Sequence, residues 1–275
     1  MAMAIALVLL AVGSIVFHVL SPWWWTPIAS NWRQIDNTIL ITFWITGVAY
    51  TAILLFMAYC VFRFRHKTGA RAHYEPENRT LEIALATGTT IGVAAMLAPG
   101  LIAWKQYVTP PTDASVVEAV GQQWQWSFRL PGADGKLGTA NTRRVTAENL
   151  LGVDPRDPNA RDDIIVIGGD LHLPIGKPVI LRLRSIDVVH NFYVPEFRAK
   201  MDLMPGIVTS FWFTPTREGS FEILCAAFCG IGHAQMRGIV VIESEDRHRQ
   251  WLGEQKTFLV SRISGRTSEF LATSQ

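Results

Sequence analysis

The chain is short of charge. Asp, Glu, Lys and Arg make up 17 % of its 275 residues, against about 25 % in an ordinary soluble domain. The shortage is concentrated before Pro110. Asn37–Phe62 runs for 26 residues and Ile83–Trp104 for 22 residues without a charge. Each exceeds the roughly 20 residues needed to cross a bilayer core, so a wholly soluble protein is excluded. Pro99 and Gly100 near the end of the second run are tolerated in membrane helices. Met1–Leu20 is also apolar, yet no Lys or Arg precedes it and no small-x-small cleavage site follows. A secretion signal usually has both, so a third, uncleaved membrane helix is the expectation. Trp23-Trp24-Trp25 after it suits a membrane–water interface.

A basic excess is missing too. Net charge is +2, and from Pro110 onward 18 Lys/Arg stand against 19 Asp/Glu. Nucleic-acid binding wants a strongly basic face, so that class is excluded. The basic residues are unevenly spread. The 63–79 loop holds Arg63, Arg65, Lys67, Arg71 and Arg79, whereas Ser21–Asp36 holds only Arg33. Positive loops stay in the cytoplasm, which puts everything after about Tyr107 outside. The predicted organisation is an N-terminal apolar segment (1–20), a membrane helix (37–62), a cytoplasmic loop (63–79), a second membrane helix (81–105), an outer domain (110–245) and a tail (246–275).

Thr109-Pro-Pro-Thr marks the start of the outer domain. Short apolar stretches separated by Pro and Gly turn signals follow. The expected strands are Ser115–Ala119, Gln123–Leu130, Ile164–Ile167, Val179–Ser185, Asn191–Val194, Ile207–Thr214, Gly219–Leu224 and Gly238–Glu243. Seven or eight short strands without helices between them predict an all-β sandwich or barrel. Ala133–Asp163 is polar and reads as a long surface loop with one short helix. The tail reads as helical near Arg247–Leu252. There are no internal repeats.

Cysteine is scarce, with three in the whole chain. Cys60 sits alone in an apolar run and reads as packing. The other two fall in Cys225-Ala-Ala-Phe-Cys229-Gly-Ile-Gly-His233-Ala-Gln-Met236. Two thiols, an imidazole and a thioether within twelve residues are ligands for soft or borderline metals. A second imidazole, His190, lies upstream. Alternatives are a zinc half-site, which has no use for Met, a disulfide, and inert buried thiols. Metal binding fits this composition best, and copper is the metal that uses Cys, His and Met together. A blue-copper site needs one Cys, so a second Cys points to two coppers. Met201 and Met204 read as packing, and His172 and His248 as surface histidines.

A membrane hairpin followed by an outer domain with His190 and C-x3-C-x3-H-x2-M resembles subunit II of the haem–copper oxygen reductases, the cytochrome c oxidase subunit that carries the CuA centre. The resemblance covers about residues 30–245. It extends to Val120-Gly-Gln-Gln-Trp124-Gln-Trp126-Ser-Phe, Asp187-Val-Val-His190, Ala199-Lys-Met-Asp202-Leu-Met-Pro205-Gly206 and Thr80-Leu-Glu82-Ile-Ala. It implies a helical membrane hairpin joined to a cupredoxin-like Greek-key sandwich, in a bacterial-type inner membrane with the copper domain on the periplasmic side. It implies that Cys225 and Cys229 bridge two copper ions, with His190 and Met236 completing one and His233 and the Ala227 carbonyl the other. Trp124 corresponds to the electron-entry aromatic, Glu82 to a proton-uptake carboxylate, and Asp187 to an acid that docks a basic cytochrome c. The implied partners are the catalytic subunit I, subunit III, cytochrome c and membrane lipid. The chain departs from the family at Ala227, where a Glu usually reaches a magnesium ion, so no magnesium is expected from this chain. The implied function is electron transfer from cytochrome c to a terminal oxidase. Alternatives are the same subunit type in a haem–copper nitric oxide reductase, or a membrane-anchored copper carrier. A quinol oxidase subunit lacks these ligands and is set aside.

Overall fold

The computed structural model describes residues 1–21, 26–69, 71, 74 and 76–261. Trp23–Trp25 and residues 262–275 lie outside the described residues. The chain divides into two compact units, residues 1–26 with 33–104, and residues 27–32 with 105–275.

The first unit contains α1 (Ala2–Leu20), α2 (Arg33–Arg63) and most of α3 (Arg79–Tyr107), each long and apolar enough to cross a membrane. Without water, every polar group needs an internal partner. The threonines of α2 find one by back-bonding: the Thr38, Thr42 and Thr46 hydroxyls donate to the carbonyls of Gln34, Thr38 and Thr42 at 2.9, 2.9 and 2.7 Å. α1 packs on α2, burying Ala4 and Ala11 of one and Leu54 and Ala58 of the other. Small residues let the two backbones approach. The N-terminus of α3 is capped by Asn78, whose Oδ1 accepts from the Leu81 amide at 3.1 Å. Glu82 stands exposed in the first turn of α3, where the helix dipole favours a carboxylate.

The second unit is a β-sandwich. One sheet contains β1 (Ser115–Gln122), β2 (Gln125–Leu130), β3 (Ile164–Ile167), β5 (Val179–Ser185) and β8 (Thr209–Phe213), in the order β3-β2-β1-β5-β8. The other contains β4 (Leu171–Pro174), β6 (His190–Val194), β7 (Ala199–Leu203), β9 (Gly219–Cys225) and β10 (Arg237–Glu243), in the order β4-β10-β9-β6-β7. Alternating side chains from both sheets fill the space between them. Trp126 of β2 meets Phe192 of β6 at 5.6 Å, and Phe192 meets Phe211 of β8 at 6.1 Å between ring centroids. Among the described residues there are ten strands, above the seven or eight expected, because β4 and β7 were not expected from the sequence.

Two further expectations are corrected. The 133–163 stretch is not merely a surface loop with one helix. It holds two short 3-10 turns, Thr142–Arg144 and Pro158–Ala160, and buries Leu151, Val153 and Ala160 with Val120 and Phe258 in a small core of its own. A buried ionic cluster fastens it. Glu118 of β1 accepts from Arg129 at 3.0 Å and from Arg184 at 3.2 Å, and Arg129 also pairs with Asp163 at 2.8 Å. Arg129 and Arg184 each donate onward to the stretch, at the Gly138 and Leu151 carbonyls. His172 and His248 are not free surface histidines either. Both are largely buried beside Glu243 at 3.0 and 3.7 Å, and both rings stack on Trp251 of α4 (Glu245–Glu254). Burial, the largest influence, and the neighbouring His172 hold His248 below the usual imidazole range against the pull of Glu243.

Candidate metal centre

The candidate metal ligands come from two places in the second sheet. His190 is the first residue of β6, and Cys225 is the last of β9. These strands are neighbours, with Phe192 opposite Cys225. The chain then leaves β9, turns through Ala227 and Cys229, makes a 3-10 turn at His233–Gln235, and enters β10 just after Met236. Strand pairing thus brings His190, 35 residues away in sequence, beside the loop.

The Cys225 and Cys229 sulfurs lie 3.7 Å apart. A disulfide needs about 2.05 Å, so both are free thiols. Around them, His190 Nδ1 is 3.9 Å from Cys225 Sγ and the Ala227 carbonyl is 3.2 Å from it. His233 Nδ1 is 3.5 Å and Met236 Sδ 4.0 Å from Cys229 Sγ. His190, Cys229 and Met236 are 0 %, 4 % and 1 % exposed, so much of the donor set is shielded from water. All six groups named from the sequence converge here. Burial, followed by the hydrogen bond between the two sulfurs and the charge of a Cys225 thiolate, pushes Cys229 above the ordinary thiol range. A bound metal must displace those protons, so uptake releases them.

His190 presents Nδ1 to the sulfurs because Asp187 holds its other nitrogen, Nε2, at 2.8 Å. A carboxylate on the far ring nitrogen fixes both tautomer and ring orientation of a metal-ligating His. Burial pushes the Asp187 carboxyl up, but hydrogen bonds from the Gln123 amide, His190 and the Val188 amide outweigh it and hold it below the usual carboxylate range. This contact with His190 was not legible in the sequence; Asp187 is nonetheless exposed.

Trp124 and Trp126 part company. Trp126 is a core residue of β2, 2 % exposed, whereas Trp124 is 38 % exposed in the β1–β2 turn. The indole of Trp124 lies on the metal loop, its Nε1 donating to the Cys229 carbonyl at 3.1 Å. The loop is built to receive it. A Cβ on Gly232 would fall 2.3 Å from the indole Cδ2. Phe228 and Ile231, flanking Cys229, are 83 % and 94 % exposed. Glu82 belongs to the other compact unit and takes no part in this cluster.

Residues 115–244 match the family model for the cytochrome c oxidase subunit II periplasmic domain. The chain is 60 % identical over 268 residues to the alternative cytochrome c oxidase subunit 2 of Bradyrhizobium diazoefficiens, spanning 98 % of this chain and 96 % of that one. It belongs to the cytochrome c oxidase subunit II family. The cytochrome c oxidase subunit 2 of Cereibacter sphaeroides is 27 % identical over 240 residues, covering 84 % of this chain and 78 % of that relative. The crystal structure of the periplasmic domain of subunit II of cytochrome oxidase from Bradyrhizobium japonicum aligns with 53 % of this chain and 95 % of its own, at 25 % identity and a TM-score of 0.39. Family members are subunits of an oxidoreductase complex, the haem–copper oxidase, in which the partner is the catalytic subunit I.

Proposed function

We propose that this subunit II is the electron-input subunit of a terminal oxidase. It takes electrons from cytochrome c at a two-copper centre on the periplasmic side and passes them to haem in subunit I, where O2 is reduced to water. The observation that carries the reading is the donor set itself. Two thiols 3.7 Å apart, two imidazole nitrogens, a thioether and a carbonyl gather in one cluster. That is more soft ligation than one blue-copper ion takes, and the paired sulfurs suit a bridge.

The ligands fall into two halves. Cys225 and Cys229 serve both, His190 and Met236 complete one half, and His233 with the Ala227 carbonyl completes the other. Bound copper supplies a one-electron couple shared over two ions. The chain supplies the rest. Asp187 keeps His190 in its ligating tautomer, and burial of Cys229 and Met236 keeps water away. Fixed strands and the loop hold the donors in place, so little rearrangement accompanies a change of charge. Trp124 gives the entry route: its ring is half exposed, and its Nε1 is hydrogen-bonded to the carbonyl of a bridging cysteine. Asp187 holds His190 with one oxygen and yet stays exposed at the surface, so it is also placed to meet a basic donor. Ala227 offers a carbonyl and a methyl only, so no magnesium ligand comes from this position. Glu82, in the first turn of α3, is assigned proton uptake from the cytoplasmic side, and subunit III completes the assembly.

Reduced cytochrome c tests this. Cys229→Ser should abolish rapid electron uptake while the chain still inserts in the membrane. Unchanged uptake would refute the assignment.

A further inference from the structure

The ligands come from separate segments, His190 from β6 and the rest from the end of β9 and the β9–β10 loop, and one residue outside the ligand set bonds toward both. Gln123 sits in the β1–β2 turn. Its backbone amide donates to Asp187 Oδ2 at 2.7 Å, and the other oxygen of that carboxylate holds His190 Nε2 at 2.8 Å. Its side-chain Nε2 donates to the carbonyl of Cys229 at 2.8 Å. A carbonyl can be met only by the NH2 half of an amide, so the orientation of the Gln123 side chain is fixed by its partner.

The loop is shaped around this contact. Gly230 adopts φ +116°, and a Cβ there would stand 3.1 Å from Gln123 Nε2 and 3.2 Å from the Trp124 ring. Only glycine allows that backbone and that approach. The Cys229 carbonyl therefore receives two outside donors, Gln123 Nε2 and Trp124 Nε1, from one turn. Donors aimed at a ligand's own peptide draw electron density from it, and hydrogen bonds around thiolate ligands are an established lever on metal-site potentials.

We propose that Gln123 is a positioning residue of this centre: it clamps the Cys229 end of the loop to the Asp187–His190 pair and so sets the distance of His190 from the loop ligands. The inference rests on the copper reading only where potential is concerned. The clamp itself is a property of the chain.

The test uses the full chain in detergent micelles, with Gln123→Met, which keeps side-chain length and removes the donor, and Gln123→Ala, which removes both. Amide hydrogen exchange across residues 226–235 is read first, on metal-free chain. Both variants should exchange about five- to tenfold faster than the parent, the factor one hydrogen bond of ordinary net strength carries. Loss of copper to a chelator should quicken by a similar factor, and the reduction potential of the copper-loaded chain should move in both variants alike. If Gln123→Met exchanges like the parent, the side chain is filler and the proposal is overturned. If the parent takes up no copper, the copper reading fails, and the exchange result still decides the clamp. If copper binds normally and exchange, copper loss and potential are all unmoved in Gln123→Met, the clamp fails and the copper reading stands.

Discussion

At the scale of single residues, orientation matters as much as identity. Asp187 aims Nδ1 of His190 at the sulfurs by gripping Nε2. Asp187→Asn keeps the shape and removes the charge, and losses of 10- to 100-fold in metal affinity accompany such changes. Competition with a copper chelator should read a loss in that range. A carboxyl held below its usual range contributes fully above that range, and its contribution is lost as pH falls through the depressed value. The grip on His190 therefore weakens only in acid. Asp163 behaves in the opposite sense. One oxygen pairs with Arg129, the other is buried without a partner, and burial pushes the carboxyl from 3.8 up to about 6. It holds its proton more tightly folded than unfolded, so its contribution to stability declines as pH rises through that interval. Denaturant midpoints measured across it should show the decline in the parent chain, and a flatter profile in Asp163→Asn. The clustering of Cys225, Cys229, His233 and Met236 was legible in the sequence because these donors crowd into twelve residues. The grip of Asp187 on His190 was not, since it depends on where the His190 ring nitrogen points.

Elements place these residues, and here the sequence reading failed in instructive ways. Leu171–Pro174 is a four-residue edge strand ending in Pro, and Ala199–Leu203 is an edge strand with Lys200 and Asp202 facing out. Edge strands are often short and carry charge or proline to block pairing with other chains, which dilutes the pattern by which strands are recognised. The other eight strands, β3 and β8 at sheet edges among them, were expected with ends within three residues of those observed. Within the metal loop, Gly232 is there because the Trp124 indole occupies the space of a side chain. Gly232→Ala forces ring and loop apart, and overpacking of this kind costs about 1–3 kcal/mol. Thermal unfolding should show a destabilisation of that order, with Trp124 fluorescence altered in the folded state.

For the whole molecule, the division into an apolar helical part and a β-sandwich was legible because each follows from composition over long windows. Charge-free runs longer than a bilayer core made the helices plain, and the Pro-Pro boundary separated them from the strands. The 133–163 stretch was misjudged because its burial comes from residues distant in sequence, such as Phe258 in one cluster with Val153 and Leu151, which no local pattern reports. The molecule's role turns on how many metal ions the second unit holds. Copper analysis of the purified full chain, reconstituted with copper and freed of excess, measures this directly. The account predicts two copper ions per chain, and none when both Cys225 and Cys229 are replaced by Ser. One copper per chain, or tightly held zinc in its place, would contradict it.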